Sequence, residues 1–207
     1  MARQNRVDPF GKLIATSARG TLMGNRGCLH DAAGKVVRRW TTKAWIACVL
    51  DFKGRHRAIM TPGKYTELFF LDEATALAAG HRPCAECRRA DYKRFKAAWI
   101  AANDQYLFGP DVAIDNIDAV IHHDRASRPY EADLAKLPDG VFIAEGESAW
   151  LLRNGKMLRW SPEGYGEARP RPAAGFVITP RSVVAALGAG YAPRVHASAS
   201  ACAAPRP

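Results

Sequence analysis

Cys84 and Cys87 stand in the run Pro83-Cys84-Ala85-Glu86-Cys87, where the proline fixes the backbone just before a C-x-x-C turn. Such a turn presents two sulfurs together, which suits tetrahedral Zn²⁺ with thiolates about 2.3 Å away. One turn is half a site. The chain offers Cys28, His30, Cys48, His56 and His81 for the rest. The expected set is Cys48, Cys84 and Cys87, with His30 or Cys28 as the fourth donor. Cys28 and His30 lie two apart on a glycine-rich turn, so only one of them need bind. Cys48 falls inside an apolar strand pattern, where an inert buried thiol is the ordinary alternative; it becomes a ligand if that strand ends against the C-x-x-C. His81 is expected to face solvent, and His56 to sit on a surface turn. A redox dithiol would open a helix on a βαβ unit, whereas this C-x-x-C follows a helix pattern.

Other residues invite chemistry less directly. His122-His123-Asp124-Arg125 could serve a hydrolase, with His122 as general base and an acid holding a metal. Adjacent helical residues point about 100° apart, so the two histidines do not share a task, and a cationic pair at a helix end is also a plain dipole partner. Asp111, Asp115 and Asp118 share a face, for which a solvated surface is a more ordinary explanation than a metal site. Trp40, Trp45, Tyr65, Arg38, Arg39, Arg55 and Arg57 interleave aromatics with cations, an array able to stack bases and hold phosphates. One buried and one solvated sheet face gives the same alternation.

The elements that must position these groups read as follows. Lys35–Trp40, Ala44–Phe52, Arg57–Met60 and Tyr65–Phe70 are strand candidates, rich in β-branched and aromatic residues. Asp72 can cap a short Ala/Leu-rich helix that Gly80 ends. Arg88–Asn103 is amphipathic, with Tyr92, Phe95, Trp99 and Ala102 on one stripe. A helix over 112–125 follows Gly109-Pro110. Beyond Leu137 the pattern is β: 141–144, 149–152 and 156–160, the last two joined by Asn154-Gly155, the strongest hairpin signal in the chain. A further strand at 176–178 precedes a helix over 182–187 that opens after Thr179-Pro180. The expected fold is α+β: a small antiparallel sheet with a zinc knuckle and helices, then a β-rich C-terminal half with flanking helices. The divisions expected are a weakly ordered lead-in over 1–20, a zinc-binding basic domain over 21–109, a β-rich domain or subdomain over 110–195, and a disordered tail over 196–207.

The charge is unevenly placed. Residues 1–109 hold 19 Lys and Arg against 9 Asp and Glu, while residues 110–207 hold 11 of each, so the whole +10 sits in the half carrying the C-x-x-C. That is an electrostatic footprint for a polyanion. No apolar run nears the ~20 residues of a membrane span, and no secretory leader is read at the start. Five cysteines, an odd number, point to a reducing, cytoplasmic setting instead of a disulfide framework.

Phe69-Phe70, Ala76-Leu77-Ala78-Ala79-Gly80 and Arg82-Pro83-Cys84, with Cys87, resemble the second half of the zinc domain of the bacterial adaptive-response methylphosphotriester repair proteins (Ada). The resemblance covers about a tenth of the chain. It implies a Zn²⁺ module facing DNA, with Arg82, Arg88 and Arg89 placed to meet phosphates. The family's compact C-x-x-x-C loop before the aromatic pair, which supplies its methyl acceptor, is missing: the nearest preceding cysteine is Cys48. The reading is therefore a zinc-containing nucleic-acid-binding protein concerned with DNA damage recognition or alkylation repair. The alternatives are an enzyme (a methyl acceptor using Cys48 or Cys28, or a hydrolase using His122) and a zinc-stapled module whose C-terminal half binds a protein.

Overall fold

The computed structural model of the protein describes residues 2–55 and 58–201. Its architecture is α+β, built on two six-stranded, mostly antiparallel sheets. The first contains β1 (Gln4–Val7), β2 (Leu13–Ala15), β3 (Leu22–Asn25), β4 (Ile46–Cys48), β5 (Leu68–Phe70) and β6 (Arg82–Pro83), in the order β2-β1-β5-β3-β4-β6. α1 (Glu73–Ala78) lies between β5 and β6 in the chain, and α2 (Arg89–Ala102) and α3 (Ile114–Ala126) follow β6. The second sheet is wholly antiparallel and ordered β11-β10-β9-β8-β12-β7. Its strands are β7 (Tyr130–Asp133), β8 (Phe142–Glu145), β9 (Ser148–Arg153), β10 (Lys156–Ser161), β11 (Gly164–Pro170) and β12 (Ala174–Val177); α4 (Arg181–Gly188) and α5 (Ser198–Ala201) come last. No helix of the described residues is long and apolar enough to cross a membrane.

The short helix α1 is the hub. All six of its residues are buried, and they reach three apolar clusters. Leu77 joins the cluster of Phe95, Trp99, Ile117, Ile121 and Trp150. Ala74 and Ala78 join Phe142, Leu151 and Tyr165 on the other face of the second sheet. Ala76 and Ala79 meet Val7, Leu68 and Phe70 beneath the first. Alanine is the residue that lets three layers approach one helix, and larger side chains there would overpack it. The Asp72 carboxylate caps the helix by accepting from the Thr75 N–H at 2.8 Å, and Gly80 leaves it at φ +84°, a conformation glycine adopts without strain.

The two halves share this interior. Phe95 and Trp99 of α2, Ile117 and Ile121 of α3, and Val141, Ile143 and Trp150 of the β-rich half lie in one cluster, so the core runs continuously across residue 109. β9 is apolar on both faces because both are covered, which explains a run such as Ala149-Trp150-Leu151-Leu152. Asn154 and Gly155 take φ of 50° and 72°, the backbone of a two-residue hairpin turn.

Several expectations are corrected. The expected lead-in over 1–20 is no loose segment across its described residues, 2–20: β1 and β2 form a hairpin whose first strand runs parallel to β5. Lys35–Trp40 makes no strand, only an isolated bridge between His30 and Val36; the N–H groups of Val37 and Arg38 donate to Leu29 O instead. The tail is ordered through residue 201. The His196 N–H donates to Asp72 and the Ser198 hydroxyl accepts from the Tyr165 N–H, which ties the chain end to the cap of α1. Residues 56, 57 and 202–207 lie outside the described residues, and with them His56 and Arg57.

Candidate metal centre

Strand pairing places the cysteines. β4 runs parallel to β6, with Ile46 opposite Arg82 and Ala47 opposite Pro83, and the Cys84 N–H donates to Ala47 O at 2.9 Å. Cys48, the next residue of β4, thereby meets the start of the C-x-x-C turn. The sulfurs of Cys48, Cys84 and Cys87 all lie within 4.8 Å of one another. A tetrahedral site with ~2.3 Å bonds needs about 3.8 Å between sulfurs, so modest closure suffices.

The three thiols are unequal, with Cys84 the one that gives up its proton most readily. The Cys48 thiol donates to Cys84, and this bond above all holds Cys84 well below the usual thiol range, helped by the N–H groups of Cys87 and Glu86. The same bond, then burial, pushes Cys48 up. Burial raises Cys87, partly offset by the Val49 N–H that points at it. Backbone N–H groups aimed at sulfur stabilise thiolate, the form that binds metal. Three soft donors around one point fit Zn²⁺ or a similar thiophilic ion. When bound, such an ion keeps all three thiols deprotonated at neutral pH.

All three cysteines line a cavity of about 360 Å³ whose apolar wall includes Ile46, Phe52, Tyr65 and Phe69. Glu67, also on that wall, is buried and accepts from the Met60 N–H at 2.7 Å. Sequence reasoning missed it, because a glutamate between Thr66 and Leu68 reads as the solvated side of a strand.

The candidates for fourth donor are engaged elsewhere. The Thr66 hydroxyl sits 2.6 Å from His30 Nδ1, and Thr61 O lies 3.2 Å from Nε2. A carbonyl can only accept, so Nε2 carries the proton and Nδ1 takes the Thr66 hydrogen. Neither nitrogen is left for a metal. The Cys28 thiol donates to His30 O at 3.7 Å and is outside the three-sulfur group.

His81 is not turned to solvent. It is buried with its ring between Trp45 and Phe70, and Arg26 Nε donates to its Nε2 at 3.1 Å. Burial, then Arg26, Arg125 and Arg128, holds its pKa well below the usual value. The unfolded chain therefore binds a proton that the folded chain refuses: this stability is complete above about pH 6.5 and is lost as pH falls below it, by up to ~1.4 kcal/mol per unit. Urea midpoints should drop between pH 7 and 5 more steeply for wild type than for His81→Gln. Equal slopes would remove His81 as the cause.

The arginines chosen for phosphate are also relocated. Arg82 is buried, and its Nε and Nη2 each donate to Asp118 at 2.8 Å. Arg88 is buried between Glu73 at 2.6 Å and Asp91 at 2.8 Å. Both are neutralised inside the fold. Arg89 alone of the three is exposed, its guanidinium 5.9 Å from the Tyr92 ring centre. At His122, Arg125 Nη1 lies 2.8 Å from Nδ1. Arginine only donates, so the lone pair a general base would use is already taken, and burial followed by Arg125 lowers the ring's pKa.

Compared with models of protein families, with curated proteins and with solved structures, the chain matches none of them.

Proposed function

We propose that the chain is a zinc protein that binds DNA, of the damage-recognition or alkylation-repair kind that the Ada-like run from Phe69 to Cys87 implies. The observation that carries the reading is the convergence of Cys48, Cys84 and Cys87 inside the half of the chain that holds the entire charge excess. A thiolate–zinc knuckle fixes β4 and β6, and the surrounding cations supply attraction for phosphates. Fluorescence anisotropy of a labelled oligonucleotide tests it: affinity should fall steeply with salt and depend on bound zinc. Salt-independent capture of a protein partner would favour the interaction-module alternative.

One observation favours a second reading. The three sulfurs sit on the wall of a cavity, where a small electrophile could approach them. A thiolate there would take a methyl group from a phosphotriester: the S–C bond forms, the C–O bond breaks, and the phosphodiester oxygen leaves with the electron pair. Of the two acceptors expected from sequence, Cys48 lines this cavity and Cys28 is not among its lining residues. Intact mass after incubation with methylated DNA should show one added methylene per chain if this transfer occurs.

A further inference from the structure

With Arg82 and Arg88 committed to buried carboxylates, the DNA contacts of the proposed function need another surface. Residues 32–50 contain Lys35, Arg38, Arg39 and Lys43 and no acidic residue. All four cations are exposed. Among the described residues, no ion pair joins any of them to a carboxylate. Trp40 stands among them with 45% of its surface exposed.

The segment is irregular yet firmly held. The Thr41 N–H donates to Arg26 O at 2.9 Å and the Val37 N–H to Leu29 O at 2.8 Å. Arg125, at the end of α3, donates through Nη2 to Gly80 O at 2.7 Å and reaches Lys43 O at 3.4 Å. Its guanidinium lies 3.8 Å from the Trp45 ring centre, and that of Arg26 lies 3.9 Å from it. The His122 ring meets Trp40 edge to face at 4.6 Å. An exposed indole held in place by a neighbouring ring, with cations on both sides of it in sequence, can stack a base while the cations meet the flanking phosphates. A paired duplex offers no such base face along its length. The segment also runs straight into β4, which carries Cys48.

We infer that the loop Lys35–Lys43 is a docking surface for single-stranded or locally unpaired DNA, with Trp40 as the stacking platform and Arg38, Arg39 and Lys43 as phosphate contacts. This rests on the DNA-binding reading above. The clamp by Arg125 and His122 then serves to hold the platform, which gives His122 a role at that helix end without catalysis.

The test is anisotropy of labelled oligo-dT against the zinc-loaded wild-type protein and its variants. A matched duplex, an oligo-U strand and a range of salt concentrations complete the comparison. Trp40→Ala should weaken oligo-dT binding roughly tenfold or more, while Trp40→Phe retains most of it. The triple variant Arg38→Ala, Arg39→Ala, Lys43→Ala should reduce the slope of log affinity against log salt by about 2, at roughly 0.7 per single-strand phosphate contact. These side chains are exposed, so thermal melts should stay close to wild type and separate lost contact from lost fold. Loop variants that bind like wild type overturn the surface alone. So does a loss confined to Arg89→Ala, Lys93→Ala and Lys96→Ala on α2, or a preference for the duplex or for oligo-U. A wild-type protein that binds no oligonucleotide overturns the functional reading itself.

Discussion

A Cys84→Ser protein should lose its metal and melt about 10 °C below the wild type. Metal binding to a folded site adds about 4 kcal/mol when free metal is a thousandfold above the dissociation constant, and a chain of this size shifts its melting temperature by roughly 2–4 °C per kcal/mol. The loss should fall on the first sheet, because a metal shared by Cys48 and Cys84 would fasten β4 to β6, and β6 is only two residues long. The second sheet has its own apolar cover on both faces, so the chain should remain folded, with proteolysis beginning in the first half. Cys48→Ser and Cys87→Ser should behave alike. Cys28→Ser should keep full metal content. His30→Ala should keep it too while losing stability, since Thr66 then has no imidazole to donate to. Native mass spectrometry with metal analysis reads each case. Metal retained by Cys84→Ser, or lost from Cys28→Ser, would reject the three-sulfur centre. His56→Ala alongside distinguishes a fourth donor supplied by the chain from one supplied by solvent.

What the sequence made legible follows a physical line: local signals were readable and distant partners were not. Asp72, the alanine run and Gly80 announce α1 because capping, propensity and a positive φ are all local. Asn154-Gly155 announces its hairpin for the same reason. Cys84 and Cys87 are close in sequence, whereas Cys48 reaches them only through a parallel pairing of β4 with β6 that no local pattern specifies. Val36-Val37-Arg38-Arg39-Trp40 has strand composition, yet its backbone bonds go to the turn before it, so propensity lost to tertiary context. β11, Gly164-Tyr165-Gly166-Glu167-Ala168-Arg169-Pro170, is an edge strand and carries the glycines and proline that such positions tolerate. Its composition hides it. The arginines were the costliest misreading. Arg82 and Arg88 look like any surface cations in a basic stretch until Asp118, thirty-six residues away in sequence from Arg82, is found against one and Glu73 against the other.

Asp118→Ala should accordingly be among the most damaging single changes outside the metal centre, at about 3–5 kcal/mol, or a melting temperature roughly 10 °C lower. Asp118 accepts two parallel bonds from Arg82, and both side chains are almost wholly shielded from water. Removing the carboxylate leaves a buried guanidinium without its partner, with Pro83 O as its remaining acceptor and the Tyr92 ring 5.6 Å away. Replacing both partners, as in Arg82→Met with Asp118→Leu, should recover most of the loss, since a buried pair is worth little against a well-packed apolar one while a broken pair is costly. Urea unfolding of the two single variants and the double variant measures this directly. The same proteins separate structure from recognition. Where the double variant is folded, its affinity for oligo-dT should equal that of the wild type on the proposed reading, because Arg82 is buried and bonded to Asp118. A stable double variant that no longer binds would return Arg82 to the nucleic-acid interface and take the contact surface away from the Lys35–Lys43 loop.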